Sequence, residues 1–170
     1  MKRMLLGTYA MVLALSLFYQ GTCGVLMRLA NQQVERKNPR EALRYYEILG
    51  KIAPGSPDIL IWQAWRHFEL GNLKEAQNLA EKGRRKNPEG EEVRRLLGQL
   101  AYEEGKFEEA LDYWKDDPVG QAWAYFQLGR LQEARQCLSR CQGDEAGLND
   151  LRIALQEQQE TPGPNRHQSP

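Results

Sequence analysis

A displacement of 34 residues lays this sequence on itself, and no other feature constrains the fold so tightly. Under that shift Ala42 falls on Ala76 and Ala76 on Ala110, Pro54 falls on Pro88, and Gly71 falls on Gly105. Three consecutive units therefore share one register. A rival shift of 49 places Lys37-Asn38-Pro39 on Lys86-Asn87-Pro88 but carries no other residues with it. In the 34-residue frame the first tripeptide belongs to a turn inside a unit and the second to the end of one. A unit this short cannot bury an apolar side alone, so it must stack on its copies.

Each unit reads as two helices. In residues 57–90, "PDILIWQAWRHFELGNLKEAQNLAEKGRRKNPEG", a first helix over about 58–70 opens with Pro57-Asp58 and stops at Gly71. A second helix over about 73–86 is blocked by Pro88. Ala64, Ala76, Ala80 and Gly83 are small where two helices must approach closely, and Leu60, Leu70, Leu73 and Leu79 fill around them.

These positions resemble the tetratricopeptide repeat family, whose pattern is W-x2-L-G-x2-Y followed by A, an aromatic, a small residue and P. Leu97-Gly98, Ala110 and Trp114 match in one unit; Ala64, Ala76, Gly83 and Pro88 match in the unit before it, where Leu60 replaces the tryptophan. Leu29-Ala30, Ala42, Tyr46 and Pro54 match in the earliest unit, and Ala122, Tyr125, Gly129 and Ala134 in the last. Gly129 follows Gly105 by only 24 residues, so ten are missing, and Asp117-Pro118 marks the shortened join. The resemblance implies an all-α, short right-handed solenoid. Its units are 23–56, 57–90, 91–117 and 118–142. A capping helix is expected over 143–160, with Leu148, Leu151 and Leu155 on one face, and a disordered proline-rich tail over 161–170.

Composition removes several classes of function. The 23 basic and 23 acidic residues cancel, which leaves no electrostatic case for nucleic acid. Neither histidine, His67 or His167, stands in a catalytic constellation, and no glycine-rich phosphate loop occurs. Carboxylates pair with bases at helical spacing, as Glu91 does with Arg95. Cys137 and Cys141 supply half a zinc site at most, with no second pair, and read as core packing. The cluster Arg84-Arg85-Lys86 with Arg94-Arg95 reads as charge at a helix C-terminus facing Glu91 and Glu92. No enzyme activity, cofactor, metal or small-molecule substrate is expected.

In this family the first helix of each unit lines a concave groove. Carried onto this chain, the resemblance places Ile61, Trp65 and Phe68 there, then Arg95, Gln99 and Tyr102, then Val119, Trp123 and Phe126. Large aromatics are costly to leave wet and are frequent anchors of recognition. Ile61, Trp65, Val119 and Trp123 stand where the best-known peptide-binding members carry Lys and Asn, so a clamp on a terminal carboxylate is not expected. The groove is expected to hold either a protein or peptide partner, or else the chain's own last helix or a neighbouring copy of the chain.

Residues 4–19, "MLLGTYAMVLALSLFY", carry no charge and follow Lys2-Arg3. The uncharged run reaches Met27, 24 residues in all, enough to cross a bilayer with some tilt. Residues 1–22 are thus expected to be a membrane anchor with the repeats on the extracytoplasmic side. The alternative is an export signal cut after Cys23, with Gly21 and Cys23 at −3 and −1. Gln20 and Thr22 argue against lipidation of Cys23. The function expected is a membrane-tethered scaffold serving assembly of an envelope complex, the alternative an exported structural subunit. An anchored chain would hinge at Gly21 and Gly24.

Overall fold

The computed structural model describes residues 2–141 and 148–160, with side chains from Ser16 to Cys141 and from Leu148 to Glu157. Among the described residues there are nine α-helices and no strand. They are α1 (Lys2–Glu35), α2 (Pro39–Ile52), α3 (Pro57–Glu69), α4 (Leu73–Lys86), α5 (Glu91–Glu103), α6 (Phe107–Tyr113), α7 (Pro118–Gln127), α8 (Leu131–Arg140) and α9 (Leu148–Glu160). The chain divides into two compact units between Leu96 and Leu97.

The repeat is written into the backbone as four copies of one turn. Gly71 N–H donates to Phe68 O and Asn72 N–H to His67 O, both at 2.9 Å, which closes the end of α3 in a Schellman cap. The same pair of bonds recurs at Gly105/Lys106 and Gly129/Arg130, and at Lys37/Asn38 after α1. The capping residue is left-handed each time: φ is +77° at Gly71, +75° at Gly105, +71° at Gly129 and +54° at Lys37. Glycine adopts this region freely, whereas Lys37 carries a Cβ into it. Pro39, Pro57 and Pro118 open α2, α3 and α7, where a missing N–H is harmless.

In the first unit, small residues let the helices close. Ala30, Ala42, Ala64, Ala76 and Ala80 are fully buried. Tyr46 donates its hydroxyl to Asn31 Oδ1 at 3.0 Å, tying α2 to α1, and Gln63 Nε2 donates to Tyr46 O at 2.9 Å, tying α3 to α2. Gly83 on α4 receives the end of Ile61 from α3, where a Cβ would lie 2.6 Å from Ile61 Cδ1. Of the leucines expected to fill this packing, Leu79 is buried while Leu73, at the exposed start of α4, is not.

The second unit closes differently. Its second helix α6 has only 7 residues against 14 in α4, which locates the missing length in the third repeat. Trp114, just past α6 and 5% exposed, fills the space instead. Its indole lies on Gly98 of α5 and on Gly120 of α7. Asp117 starts α7 immediately afterwards, its Oδ1 accepting from Val119 N–H and Gly120 N–H at 3.1 Å each. Farther along, Leu148, Leu151 and Leu155 of α9 are buried with Ala122, Ala134, Cys137 and Leu138 of α7 and α8. Arg135 Nη2 donates to Leu155 O at 3.0 Å. The cap expected over 143–160 begins outside the described residues, as does the whole of the expected tail.

At the N-terminus α1 is one unbroken helix of 34 residues. The hinge expected at Gly21 and Gly24 does not form: both lie inside the helix with nothing within 4 Å of a built Cβ. Cys23, Leu26 and Met27 pack on the first unit's core, while Leu17 and Phe18 are 68% and 76% exposed. Among the described residues no helix is long and apolar enough to cross a membrane. Most of the expected anchor, residues 1–15, lies outside the residues whose side chains are described.

Candidate partner-binding surface

Two aromatic pairs stand out on the first helices of repeats. In α3, Trp65 and Phe68 are one helical turn apart and meet edge to face, with ring centroids 5.9 Å apart and planes at 88°. In α7, Trp123 and Phe126 make the same arrangement at 6.4 Å and 85°. All four residues are half-buried. The pairs occupy one repeat position, since Phe68 and Phe126 both present the carbonyl that the capping glycine binds. Trp65, Phe68 and Arg95 belong to the first unit; Gln99, Tyr102, Trp123 and Phe126 belong to the second.

The intermediate repeat has Gln99 and Tyr102 in the corresponding places, and they are engaged locally. Gln99 Nε2 donates to Glu103 Oε1 at 3.1 Å. Tyr102 packs its ring 5.3 Å from Phe107 and 5.8 Å from Trp114, and its hydroxyl accepts from Gln127 Nε2 at 3.0 Å. Arg95 is exposed, with Nη1 3.6 Å from Glu92 Oε1. Val119 is half-buried against the leucine cluster of α9, on whose margin Trp123 and Phe126 also pack.

Ile61 requires correction. Expected on the groove surface, it is 2% exposed because its side chain turns into the notch that Gly83 leaves in α4. An open contact at this position needs a larger residue opposite, which would push the isoleucine out.

Several residues around these helices were not singled out by sequence reasoning. Trp62 lies 5.6 Å from Tyr46, and Arg66 is 9% exposed, its Nη2 donating to Glu69 Oε1 at 2.8 Å. Burial pushes the Tyr46 phenol above its ordinary value; Arg66 opposes this and Glu69 adds to it. The i,i+3 spacing of Arg66 and Glu69 was a legible sign of that pair.

The arrangement offers binding rather than chemistry. His67 is half-buried on α3. The three cysteines are thiols outside any disulfide, and burial raises the Cys137 thiol above its ordinary value, the opposite of what activates a nucleophile. Cys141 donates to Cys137 O at 3.4 Å, as a packed thiol at a helix end does. Among the described residues no three His, Cys, Asp or Glu gather where they could hold a metal ion.

Comparison with known proteins agrees with this geometry. The sequence matches the tetratricopeptide repeat over residues 33–100 and again over 119–140. This chain belongs to the tetratricopeptide repeat family. Among solved tetratricopeptide structures it is similar to MamA from Desulfovibrio magneticus RS-1, with a TM-score of 0.59 and 16% identity over 76% of this chain and 75% of that one. It is also similar to the Sgt2 tetratricopeptide domain of Aspergillus fumigatus, with a TM-score of 0.50 and 18% identity over 87% and 88%. A tetratricopeptide protein of Thermus thermophilus gives a TM-score of 0.50 and 18% identity, over 82% of this chain and all of that one. At such identities the likeness is one of fold. No curated protein matches the sequence. Tetratricopeptide domains bind protein or peptide partners and are generally non-catalytic, and nothing found here points to an enzyme.

Proposed function

We propose that this protein is a non-catalytic scaffold, tethered at a membrane by the N-terminal part of α1, that holds a protein partner through the aromatic pairs of its repeat helices. The reading rests on one observation above all: the edge-to-face Trp–Phe pair recurs at the same repeat position in α3 and in α7, half-buried each time. A pair of rings already locked against each other loses little freedom on binding and offers a large apolar contact. Membrane tethering is supported by the uncharged run 4–19 behind Lys2-Arg3, and by its continuation, in one helix, into the first repeat.

The test is capture of partners by the full chain from solubilised membranes, with and without Trp65→Ala and Trp123→Ala. The double variant is expected to keep its helix content and release its specific partner, with affinity falling at least tenfold. Unchanged capture and unchanged assembly size would sink the aromatic pairs as the binding site. Mass spectrometry of the mature N-terminus tests the tether: retention of Met1 in the membrane fraction supports it, and a chain beginning at Gly24 overturns it.

A further inference from the structure

We infer that the edge of the first unit formed by the α2–α3 turn, residues 52–56, is drawn against the phospholipid headgroups. This rests on the membrane-tethered reading above and goes beyond it by fixing which surface meets the bilayer. The Tyr19 hydroxyl lies 3.5 Å from Ile52 O, so the end of α2 stands level with Tyr19 on α1. Beyond that level α1 continues in the same helix to Lys2. The stretch both free of charge and beyond the level of Ile52 is Met4–Phe18, fifteen residues or about 22 Å of helix. A bilayer core is about 30 Å thick. The free stretch is too short to span it while the repeats stand off in water. Burying it therefore pulls the α2–α3 turn up to the interface and leaves Lys2 and Arg3 to reach the far headgroups. A second copy of the chain is a poorer occupant, since it would cover one stripe of the helix, whereas the run is uncharged on every side.

The edge itself suits headgroups more than lipid tails. A cleft of about 430 Å³ opens there, lined in part by Glu47, Lys51, Ser56 and Gln63. Lys86 of α4 places its Nζ close beside Gly55 of the same turn. Both signs of charge are present, which fits a zwitterionic headgroup and predicts contact that depends little on salt.

The experiment places a nitroxide at Ser56→Cys or at Asn72→Cys, the latter at the opposite end of α3. The full chain carries Cys23→Ser and Cys141→Ser and is reconstituted in phosphatidylcholine vesicles containing a nickel-chelating lipid. Relaxation by nickel is expected to be at least threefold stronger at position 56 than at 72, at low and at high salt. Equal relaxation at both sites in a chain that floats with the vesicles overturns the edge contact and leaves the tether standing. A chain that does not float overturns both. Hydrogen exchange on the unmodified chain supplies a second reading: amides of 53–58 should slow in vesicles relative to the delipidated chain, and those of 70–74 should not.

Discussion

The two units reach similar burial by opposite routes. In the first, α3 and α4 are full-length helices that approach over Ala64, Ala76 and Ala80, and a single notch at Gly83 takes the flexible end of Ile61. In the second, α6 stops after 7 residues, and the missing helix surface is replaced by Trp114 held between Gly98 and Gly120. A rigid indole between two backbones cannot shift as an isoleucine terminus can. The joint beside the short α6 thus depends on one large residue, whereas α3 and α4 meet over several small ones. This difference implies different tolerance to substitution.

The sharpest way to break the comparison is Trp114→Ala, expected to cost about 3–5 kcal/mol and to unfold the second unit first, as chemical denaturation followed by circular dichroism would show. Next come Gly98→Ala and Gly120→Ala, whose new methyl groups meet the indole; each should cost about 1–3 kcal/mol. Gly83→Ala, against the mobile end of Ile61, should cost no more than about 1 kcal/mol, because the rotamer can give way and the helix gains in propensity. Equal losses at all three glycines would erase the contrast. Lys37→Gly should act with the opposite sign, adding about 0.5 kcal/mol in the same titration, since it relieves a left-handed lysine in the cap of α1.

The smallest effect is confined to alkaline pH. The folded protein holds the Tyr46 proton more tightly than the unfolded chain, so the associated stability is complete below the ordinary value of 10.0 and is lost as pH rises through the folded value. Tyr46→Phe should lower stability at neutral pH, through loss of the bond to Asn31, and flatten the melting temperature above pH 10.

Much of the fold was legible because its turns are chemically marked. Gly71, Gly105 and Gly129 announce left-handed caps, and Pro39, Pro57 and Pro118 announce helix starts. The leucines of α9 were legible from their spacing. The candidate surface was less so. Ile61 and Trp65 share a face of α3, yet whether a side chain points out depends on the helix opposite, and the gap at Gly83 drew the isoleucine inward. Tyr102 keeps the repeat position of Phe68 but is claimed by Phe107, Trp114 and Gln127, all from other parts of its unit. Pairing across a turn or a shortened helix leaves no periodic trace. That the apolar run passes almost directly into the first repeat helix was legible, but not that α1 is unbroken at Gly21 and Gly24, because mid-helix glycines read as hinges.

Trp114 also sorts the intrinsic fluorescence of the protein. Its indole, 5% exposed, is expected to emit toward the blue, and the half-buried indoles of Trp62, Trp65 and Trp123 toward the red. A partner that covers the aromatic pairs would shift the red component alone and leave the blue one in place. The side chain that fills the gap left by a short helix thus doubles as an internal standard, against which occupancy of the half-buried rings is read without any label.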